Sequence, residues 1–414
     1  MNFFSYQNGT LCAEKVPLAS IAAQYGTPCY VYSRGALESA YREFERASAG
    51  RDVLVCYSVK ANSNLAVLNL FARLGSGFDI VSGGELSRVL AAGGAASKTV
   101  FSGVGKSEAE MRAALQAGVL CVNVESEGEM ERLAAVASSM DKIAPMSFRV
   151  NPDVDPKTHP YIATGLSEHQ FGIPYDEAPR LYRKAATLRG LRVVGIDVHI
   201  GSQITEVGPF VAALEKVLEF VDVLDATGMH LEHLDLGGGL GIRYRDETPP
   251  AVGDYLGALF GRIGNRKLKI LLEPGRSLVG NAGLLLARVE YLKHGAAKNF
   301  AVTDTAMNDL LRPALYDAWH EVLPVIRREG PARRYDIVGP VCESADFLAR
   351  DRELALADGD LLAVMSAGAY GMSMSSNYNS RPRSAEVMVD GKTTHLVRER
   401  ESAGSLFASE RLLP

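Results

Sequence analysis

The amino-acid sequence predicts an α/β protein that combines a TIM-like (β/α)8 barrel with a second, mostly β domain of sandwich-like or barrel-like form. Between Arg51 and Arg276, eight short apolar runs alternate with longer segments of helical period. This alternation is typical of βα units around a closed parallel sheet. The chain of 414 residues also exceeds the ~250 to 300 residues at which a single hydrophobic core stops growing, so we expect two domains.

The eight apolar runs are the candidate barrel strands. Segments between them, such as 84–93 and 106–118, are apolar at helical spacing and end at glycine, which favours a helix terminus. The fifth unit carries a long insertion, 151–174, which we interpret as a functional loop at the barrel mouth. In order, the runs begin at Val53 (VLVCYSV), Phe78 (FDIV), Thr99 (TVFS), Leu120 (LCVNV), Met146 (MSFRV), Leu191 (LRVVGIDVHI), Leu231 (LEHLDL) and Leu268 (LKILL).

The barrel accounts for neither the first 32 residues nor the tail. In the tail, runs such as LLARVEYL, FAVTD, YDIVGPVC and DLLAVM resemble strands joined by turns. We therefore expect residues 33–276 to form the barrel, and residues 1–32 together with 277–414 to form the β domain.

Composition and charge exclude several classes of function. The net charge is -5 and no long basic run is present, which argues against binding to nucleic acid or to an anionic membrane surface. No apolar run reaches the ~18 residues of a membrane span, and the N-terminal residues lack a signal-peptide pattern. We therefore expect a cytoplasmic protein that acts on a small molecule.

Neither the cysteines nor the histidines indicate a metal site or a disulfide framework. The five cysteines are scattered without paired spacing, which fits a reducing compartment. His230 and His233 are two residues of a predicted strand whose side chains would point to opposite faces, so we interpret both as structural. The sequence predicts no bound metal. The cysteines are Cys12, Cys29, Cys56, Cys121 and Cys342.

Polar residues that follow the predicted strands should meet at the barrel mouth, where such barrels place their active sites. Lys60 follows the first run, and a lysine desolvated there would be a neutral amine able to form a Schiff base. His199 follows the sixth run, while glycines 237–239 and the EPGR turn, 273–276, follow the last two runs, where barrels often bind phosphate.

Each of these features has a less specific interpretation when it stands alone. A lysine such as Lys60 is about as often a side chain that reaches outward to water, and His199 alone is more often a hydrogen-bonded mouth residue. Together, an amine for a Schiff base, a phosphate cradle, a histidine to cover a ring and Glu273 to keep a ring nitrogen protonated indicate pyridoxal 5'-phosphate (PLP).

At this point the sequence resembles the alanine-racemase-fold, PLP-dependent decarboxylases and, within them, the members that act on diaminopimelate. The similarity extends over essentially the whole chain, with Gln170 and Ser58 as departures from the usual Lys and Ala. The motifs in order are YSVKAN around Lys60, FDIVSGGEL from Phe78, THPYIATGLSEHQFGI from Thr158, HIGSQ from His199, LGGGLGI from Leu236, EPGR from Glu273, RPALY from Arg312, CESAD from Cys342 and AGAYG from Ala367.

The resemblance implies a role for each matching residue. Lys60 would form the Schiff base, His199 would stack on the ring, Glu273 would meet the pyridine nitrogen, and Cys342 would reprotonate the carbanion. Lys60, His199 and Cys342 would be the catalytic residues. Cofactor contacts would come from Lys60, Asp79, His199, Ser202, Gly238, Gly239, Glu273, Pro274, Gly275, Arg276 and Tyr370, and substrate contacts from Arg276, Arg312, Tyr316, Glu343 and Tyr370.

The resemblance further implies decarboxylation of meso-2,6-diaminopimelate to L-lysine, the final step of lysine biosynthesis, by a homodimer with shared active sites. A substrate with an amino-acid centre at its far end needs both a cation and an anion, which Arg312 and Glu343 would supply. An ornithine-type decarboxylase binds only a distal amine, and in that relative Asp usually follows the cysteine, whereas Glu343 follows Cys342 here.

The sequence leaves two alternatives open and argues against two others. The protein could decarboxylate another basic amino acid, namely ornithine, arginine or D-lysine, or it could be an amino-acid racemase on the same fold. A non-catalytic PLP-binding barrel would end near Arg276, and the long tail argues against it. A lysine-dependent aldolase without PLP would not need Glu273.

Overall fold

The computed structural model describes residues 3–155 and 170–414, which fall into two structural units. The β-rich unit comprises Met1–Ser39, Arg243–Glu247 and Leu278–Pro414. The barrel unit comprises Ala40–Ile242 and Thr248–Ser277.

The chain begins in the β-rich unit with three short antiparallel strands, in which β1 pairs with β2 and β2 with β3. A helix and a fourth strand follow, and the next helix continues into the barrel unit. The bounds are β1 Phe4–Gln7, β2 Thr10–Ala13, β3 Val16–Pro17, α1 Leu18–Tyr25, β4 Cys29–Ser33 and α2 Arg34–Ala47.

Eight parallel strands close into a barrel, with β8 pairing β9 to complete the ring. Around the ring the order is β5, β6, β7, β8, β9, β11, β12 and β13, and the short β10 pairs outside the ring with β9. The predicted (β/α)8 barrel is confirmed, and each of the eight apolar runs supplies one strand. The strands are β5 Val53–Ser58, β6 Gly77–Ile80, β7 Thr99–Phe101, β8 Cys121–Val124, β9 Ala144–Asn151, β10 Ile173–Pro174, β11 Leu191–Asp197, β12 His233–Asp235 and β13 Lys269–Leu272.

Helices follow most of the barrel strands, and local sequence sets their ends. Ser107 and Glu110 form a reciprocal capping box at the start of the fifth helix, and Gly118 ends it in a left-handed conformation with φ 75°. The helices are α3 Leu65–Arg73, α4 Gly83–Ala91, α5 Glu108–Ala117, α6 Glu127–Ser139, α7 Ala178–Thr187, α8 Gly208–Ala226 and α9 Val252–Ile263.

Small apolar and branched side chains fill part of the barrel, including Val100, Val194 and Leu271, which pack with Cys56 and Cys121. Because all eight strands are parallel, their carboxyl ends lie at one mouth of the barrel. Polar residues at or just after those ends are therefore brought together, as the sequence predicts.

The rest of the β-rich unit is built on a nine-stranded sheet in which the long strand β14 pairs with β4, β15 and β19. The predicted second, mostly β domain is confirmed. Its elements are α10 Arg276–Val279, which starts in the barrel unit, β14 Gly283–His294, β15 Asn299–Thr303, α11 Arg312–Tyr316, β16 Val322–Pro324, β17 Arg333–Val338, β18 Phe347–Leu354, β19 Leu361–Val364, β20 Ala385–Asp390 and β21 Thr393–Arg398.

The short segment Arg243–Glu247 groups with the β-rich unit although it lies between two barrel strands in sequence. Side-chain packing gives a physical reason. The Tyr244 ring lies against His320, and the Arg245 guanidinium lies 4.3 Å from the centroid of the Trp319 ring. Hydrophobic periodicity cannot predict that a segment of five residues groups with a different structural unit.

Among the residues that the structure describes, no helix is both long enough and apolar enough to cross a membrane. Most of the insertion at 151–174 lies outside those residues. Of its end that is described, Gln170 is exposed.

Candidate active site

Lys60 lies at the mouth of the barrel, in the single helical turn Val59–Ala61 that follows β5. Its ammonium group lies 2.8 Å from Oδ2 of Asp79, the third residue of β6. The same Asp79 oxygen accepts a hydrogen bond of 2.8 Å from the hydroxyl of Ser58. The candidate nucleophile therefore has a carboxylate beside it that fixes its position.

The expectation that Lys60 is desolvated is wrong. Its side chain is 36% exposed, while the Asp79 side chain is fully buried. The amine therefore has a buried carboxylate as a close partner, which the prediction from the sequence did not include. This pairing could not be predicted from spacing, because Asp79 lies on the neighbouring strand, 19 residues away in sequence.

Three carboxyl groups crowd the same end of the barrel. Asp197 and Asp235 end β11 and β12, Glu273 directly follows β13, and one oxygen from each lies within 4.8 Å of the others. Each of these residues also has a buried oxygen with no hydrogen-bond partner among the described residues. Three carboxyl groups this close cannot all be ionised, so they share protons unless a cation lies between them.

Burial and mutual repulsion act on all three groups in the same direction. Burial raises the pKa of Glu273 well above its ordinary value, and the charges of Asp235, Asp79 and Asp197 raise it further. Burial likewise raises the pKa of Asp235 to about 6 and that of Asp197 well above the ordinary range. The interior of this mouth therefore holds protons on carboxyl groups near neutral pH.

His199 follows β11 and is held in a neutral form. Burial lowers the pKa of its imidazole well below the ordinary value, and the charges of Arg149 and Lys60 lower it further. The backbone N–H of Gly238 donates to Nδ1 of His199 over 3.1 Å. Since Nδ1 accepts, the proton of the neutral ring is on Nε2.

Backbone and glycine dominate the turns after β12 and β13. Gly237 has a φ of 63°, and a Cβ placed on Gly238 would lie 2.1 Å from the carbonyl oxygen of Glu273. A Cβ on Gly239, whose φ is 109°, would lie 2.5 Å from the Gly201 carbonyl. Only glycine fits this packing, which lets main chain approach a ligand closely.

Cationic and hydroxyl side chains flank the glycine turns. Nη2 of Arg276 donates to Oγ of Ser202 over 3.0 Å, which joins the segments that follow β13 and β11. A guanidinium, a hydroxyl and glycine backbone form a donor set suited to a phosphate group. Pro274 lies in the same turn, and its carbonyl accepts from the N–H of Ser58 over 3.1 Å.

These barrel residues fit PLP. The amine of Lys60 suits the aldehyde of this cofactor, and the buried Glu273 oxygen, which has no partner among the described residues, suits its ring nitrogen. The neutral imidazole of His199 suits the face of the ring, and the donors near Ser202 suit the phosphate. The structure brings together all of the predicted cofactor residues of the barrel at the carboxyl ends of its strands.

In the β-rich unit, Arg312 is the first residue of α11 and is 6% exposed. Its Nη1 donates to Nε2 of His320 over 2.8 Å, and its guanidinium carbon lies 4.4 Å from the centroid of the Tyr244 ring. Tyr316, the last residue of the same helix, is half-buried. A predicted substrate-binding arginine is thus held rigidly from two sides.

Cys342 and Glu343 lie side by side in the β-rich unit, and both are exposed. The backbone N–H of Cys342 donates to the side chain of Asn379 over 3.1 Å, and the hydroxyl of Tyr378 donates to a carboxylate oxygen of Glu343. Tyr370, also in this unit, is half-buried and adopts a left-handed backbone with φ 53°. Such a conformation is uncommon for a tyrosine and is often found at functional sites.

Several residues of the site were missed by reasoning from the sequence. Asp197 and Asp235 lie within the apolar runs that predict strands. A single acidic residue in an otherwise apolar strand is the signal that could have identified each of them as a site residue. Gln203 exchanges two side-chain hydrogen bonds with the backbone of Ile242 and so ties the segments after β11 and β12 together. The bond between Arg312 and His320 had no signal in the sequence.

The two histidines that we interpreted as structural differ from each other. His233 is buried at the start of β12, and a Cβ on Gly195 would lie 2.2 Å from its ring, so that glycine makes room for it. His230 lies before the strand rather than on it, and its ring pairs with Asp225 over 2.9 Å. The argument from strand alternation is therefore wrong for this pair.

Comparison with known proteins identifies the family. The model for "Pyridoxal-dependent decarboxylase, pyridoxal binding domain" matches residues 34–280. The diaminopimelate decarboxylase of Pseudomonas aeruginosa is 60% identical over the full length of both chains, and that of Vibrio cholerae is 58% identical, also over the full length of both.

Solved structures agree with these relatives. The diaminopimelate decarboxylase of Helicobacter pylori in complex with L-lysine is 39% identical, covers 95% of this chain and 99% of that chain, and has a TM-score of 0.92. The M. jannaschii enzyme in complex with L-lysine is 36% identical, covers 100% and 98%, and has a TM-score of 0.95. The resemblance found in the sequence is confirmed: the chain belongs to the PLP-dependent decarboxylases and, within them, to the diaminopimelate decarboxylase family.

Proposed function

We propose that the protein is a diaminopimelate decarboxylase, a carboxy-lyase that converts meso-2,6-diaminopimelate to L-lysine and carbon dioxide at the end of lysine biosynthesis. The observation that carries the proposal is the buried Glu273, whose oxygen with no partner among the described residues lies in the same barrel mouth as the Lys60–Asp79 pair. A barrel that used lysine alone would gain nothing from a buried carboxyl group at this position.

In this proposal the barrel, residues 33–276, binds the cofactor. Lys60 would hold its aldehyde carbon, Glu273 its ring nitrogen and His199 its ring face, while Asp79 would hold the lysine. Ser202, Gly238, Gly239 and the turn from Glu273 to Arg276 would hold its phosphate. Bound PLP supplies an electron sink for the pair of electrons left when the carboxylate departs.

Three side chains of the barrel would set the charge and the orientation of the groups around the cofactor. Asp79, 2.8 Å from the Lys60 ammonium, would orient the amine of the lysine. Glu273, whose pKa is raised by burial, holds a proton that a ring nitrogen can share. His199 is uncharged and can cover an aromatic ring without adding a positive charge.

The β-rich residues, 1–32 and 277–414, would recognise the substrate. Arg312, with Arg276 and Tyr316, would bind the distal carboxylate, and Glu343 would bind the distal ammonium. The thiol of Cys342 would give its proton to the carbon from which carbon dioxide has left, and Tyr370 would contact both ligands. The names of the two relatives solved with L-lysine support a ligand of this size and charge.

The proposal includes a cytoplasmic homodimer with shared active sites. Cys342 and Glu343 are exposed in the single chain, which suits residues that act across a subunit interface. Analytical ultracentrifugation should give twice the chain mass. Mixing equal amounts of a Lys60→Ala variant and a Cys342→Ala variant should restore activity to about a quarter of the wild-type value, because about half of the dimers would be heterodimers and one of the two sites in each heterodimer would be intact.

Substrate assays test the function. Purified protein with added PLP should absorb visible light and release carbon dioxide from meso-diaminopimelate, with little release from ornithine, arginine or D-lysine. The Lys60→Ala variant serves as the inactive control. A preference for ornithine or D-lysine would leave the fold and the cofactor in place and contradict the proposed substrate, and racemisation without carbon dioxide release would favour a racemase.

A further inference from the structure

His320 is fully buried in the β-rich unit, with 0% of its surface exposed. Both ring nitrogens are engaged: Nε2 lies 2.8 Å from Nη1 of Arg312, and Nδ1 lies 2.8 Å from the carbonyl oxygen of Met365. Neither contact follows from the motifs that identify the family. The ring therefore links a predicted substrate-binding arginine to the main chain that follows β19.

The two neighbours decide which form of the imidazole is present. A carbonyl oxygen can only accept a hydrogen bond, so Nδ1 of His320 must carry a proton. A guanidinium can only donate, so Nε2 must present its lone pair to Arg312. The ring is therefore neutral, because an imidazolium would place one N–H against another. A neutral acceptor orients the arginine without cancelling its positive charge.

Other contacts hold the ring and the guanidinium in one arrangement. The Tyr244 ring lies edge-on to His320, with centroids 5.4 Å apart and planes at 78°, and its face lies 4.4 Å from the guanidinium carbon of Arg312. Nη2 of Arg352 donates to the backbone carbonyl of His320 over 3.0 Å. Rotation of the imidazole would break two buried hydrogen bonds, which is costly.

We propose that His320 is a positioning residue that fixes the orientation of the Arg312 guanidinium and thereby sets selectivity for substrates that carry a distal carboxylate. The inference rests on the proposed function, in which Arg312 binds that carboxylate. Recognition of a carboxylate by the planar guanidinium fork depends on angle as well as distance, so an arginine that is free to rotate binds less well. His320 itself does not touch the substrate.

Two isosteric substitutions separate the two bonds. In His320→Asn the amide nitrogen takes the place of Nδ1, so the bond to Met365 is kept and the acceptor for Arg312 is lost. In His320→Gln the amide oxygen takes the place of Nε2, so the acceptor for Arg312 is kept and the donor to Met365 is lost. A purely structural histidine would respond to the two changes alike.

Steady-state kinetics on meso-diaminopimelate should distinguish the variants. We expect His320→Asn to raise KM by about 10-fold to 50-fold with kcat changed by less than about threefold, and His320→Gln to stay within about threefold of wild type in both. Inhibition by L-lysine, which retains the distal carboxylate, should weaken in parallel with KM for His320→Asn. Inhibition by 1,5-diaminopentane, which has no carboxylate, should not change.

A double-mutant cycle with Arg312→Leu tests whether His320 acts through the arginine. If it does, His320→Asn should change KM by less than about twofold in the Arg312→Leu background.

Equal effects of the Asn and Gln variants, or equal weakening of inhibition by L-lysine and by 1,5-diaminopentane, would overturn the inference. If His320→Asn does not fold, Tyr244→Leu can be used instead, because it removes the ring that packs against both His320 and Arg312. This variant should also raise KM for diaminopimelate and weaken inhibition by L-lysine but not by 1,5-diaminopentane. An unchanged KM in that variant would also overturn it.

The wild-type assay keeps the two proposals separate. A wild-type protein that does not decarboxylate diaminopimelate contradicts the proposed function. A wild-type protein that does so, combined with variants that fail the pattern above, contradicts only the role of His320.

Discussion

Buried carboxyl groups hold the candidate residues of the barrel unit, whereas the candidate residues of the β-rich unit comprise one buried arginine, two half-buried tyrosines and two exposed side chains. Asp79 and Glu273 are at most 4% exposed, and Asp79 binds the amine of Lys60 directly. Cys342 and Glu343 lie at the surface of the described chain. In the proposed function, the buried residues of the barrel hold the cofactor, and the residues of the β-rich unit bind the substrate and return a proton to it.

The largest effect is expected at Lys60. Lys60→Ala removes the only atom proposed to hold the cofactor covalently, so kcat should fall by about 10⁴-fold or more. The measurement is carbon dioxide release together with the visible absorption of the cofactor. Lys98→Ala, which removes another lysine of the barrel unit that bonds the Gly75 carbonyl, is the matched control and should be fully active. Activity that survives Lys60→Ala would contradict the assignment of chemistry to the barrel.

Cys342 should give the next effect, because it is the β-rich residue proposed to move a proton. Cys342→Ala should lower kcat by about 10³-fold while KM changes by less than about threefold, as expected when a general acid is lost. Cys12→Ala removes a buried thiol in β2 of the same unit and should lower stability rather than kcat. If Cys342→Ala changed KM instead of kcat, the cysteine would belong to recognition and not to chemistry.

Arg312 tests the proposed role of the β-rich unit in substrate recognition. Arg312→Leu should lower kcat/KM for diaminopimelate by about 10²-fold, mainly through KM, because charge-assisted hydrogen bonds to the distal carboxylate would be lost. D-lysine, which lacks that carboxylate, should be processed no worse than by wild type. Arg334→Leu removes an exposed arginine from β17 and should have no effect. An equal loss on both substrates would show that Arg312 supports the fold.

The buried carboxyl groups predict a pH effect on stability. Burial raises the pKa of Asp235 from 3.8 to about 6, so between these pH values the folded state holds a proton that the unfolded state has released. Stability therefore falls as the pH rises through this window. Asp235→Asn cannot ionise and its amide oxygen can still accept from the N–H of Gly237, so it should stabilise the cofactor-free protein at pH 8 by up to about 3 kcal/mol.

Urea denaturation of the cofactor-free protein at several pH values checks this effect. The wild-type and Asp235→Asn proteins should have similar midpoints near pH 4 and should separate as the pH rises to 8. Asp225→Asn, at an exposed aspartate beside His230, is the control. Parallel curves for Asp235→Asn and wild type would mean that the carboxyl cluster does not share protons as inferred.

The smallest effect is expected at Gln170, where the family usually has lysine. Gln170 is exposed. Gln170→Lys should change kcat and KM by less than about threefold and stability by less than about 0.5 kcal/mol. Rapid-quench measurement of a single turnover would detect a change in the rate of an individual step, and a tenfold shift there would give this residue a functional role.

The barrel was predictable because its signal is periodic and repeated. Each apolar run from Val53 to Leu268 became one strand, and the parallel arrangement then placed Lys60, His199 and Glu273 at one mouth. The burial and the charge of the residues at that mouth were harder to predict from the sequence. Whether Lys60 is desolvated depends on Asp79, which comes from a different strand and is brought near only by the fold.

The β-rich residues could be predicted only through the resemblance. Arg312, Cys342 and Tyr370 lie far apart in sequence, on segments without a common period, so no spacing rule connects them. The bond between Arg312 and His320 spans only eight residues but depends on how α11 and the segment after it pack. Their roles remain predictions that the variants above test.

The most direct test of the central claim follows the fate of one carboxyl group. Meso-diaminopimelate labelled with ¹³C in the carboxyl group of its D-centre is incubated with the purified holoenzyme, and the carbon dioxide and the chirality of the product are analysed. The account predicts that all released carbon dioxide carries the label and that the product is L-lysine. Unlabelled carbon dioxide with D-lysine as product would mean that the two ends are bound the other way round, and no carbon dioxide at all would contradict the proposed function.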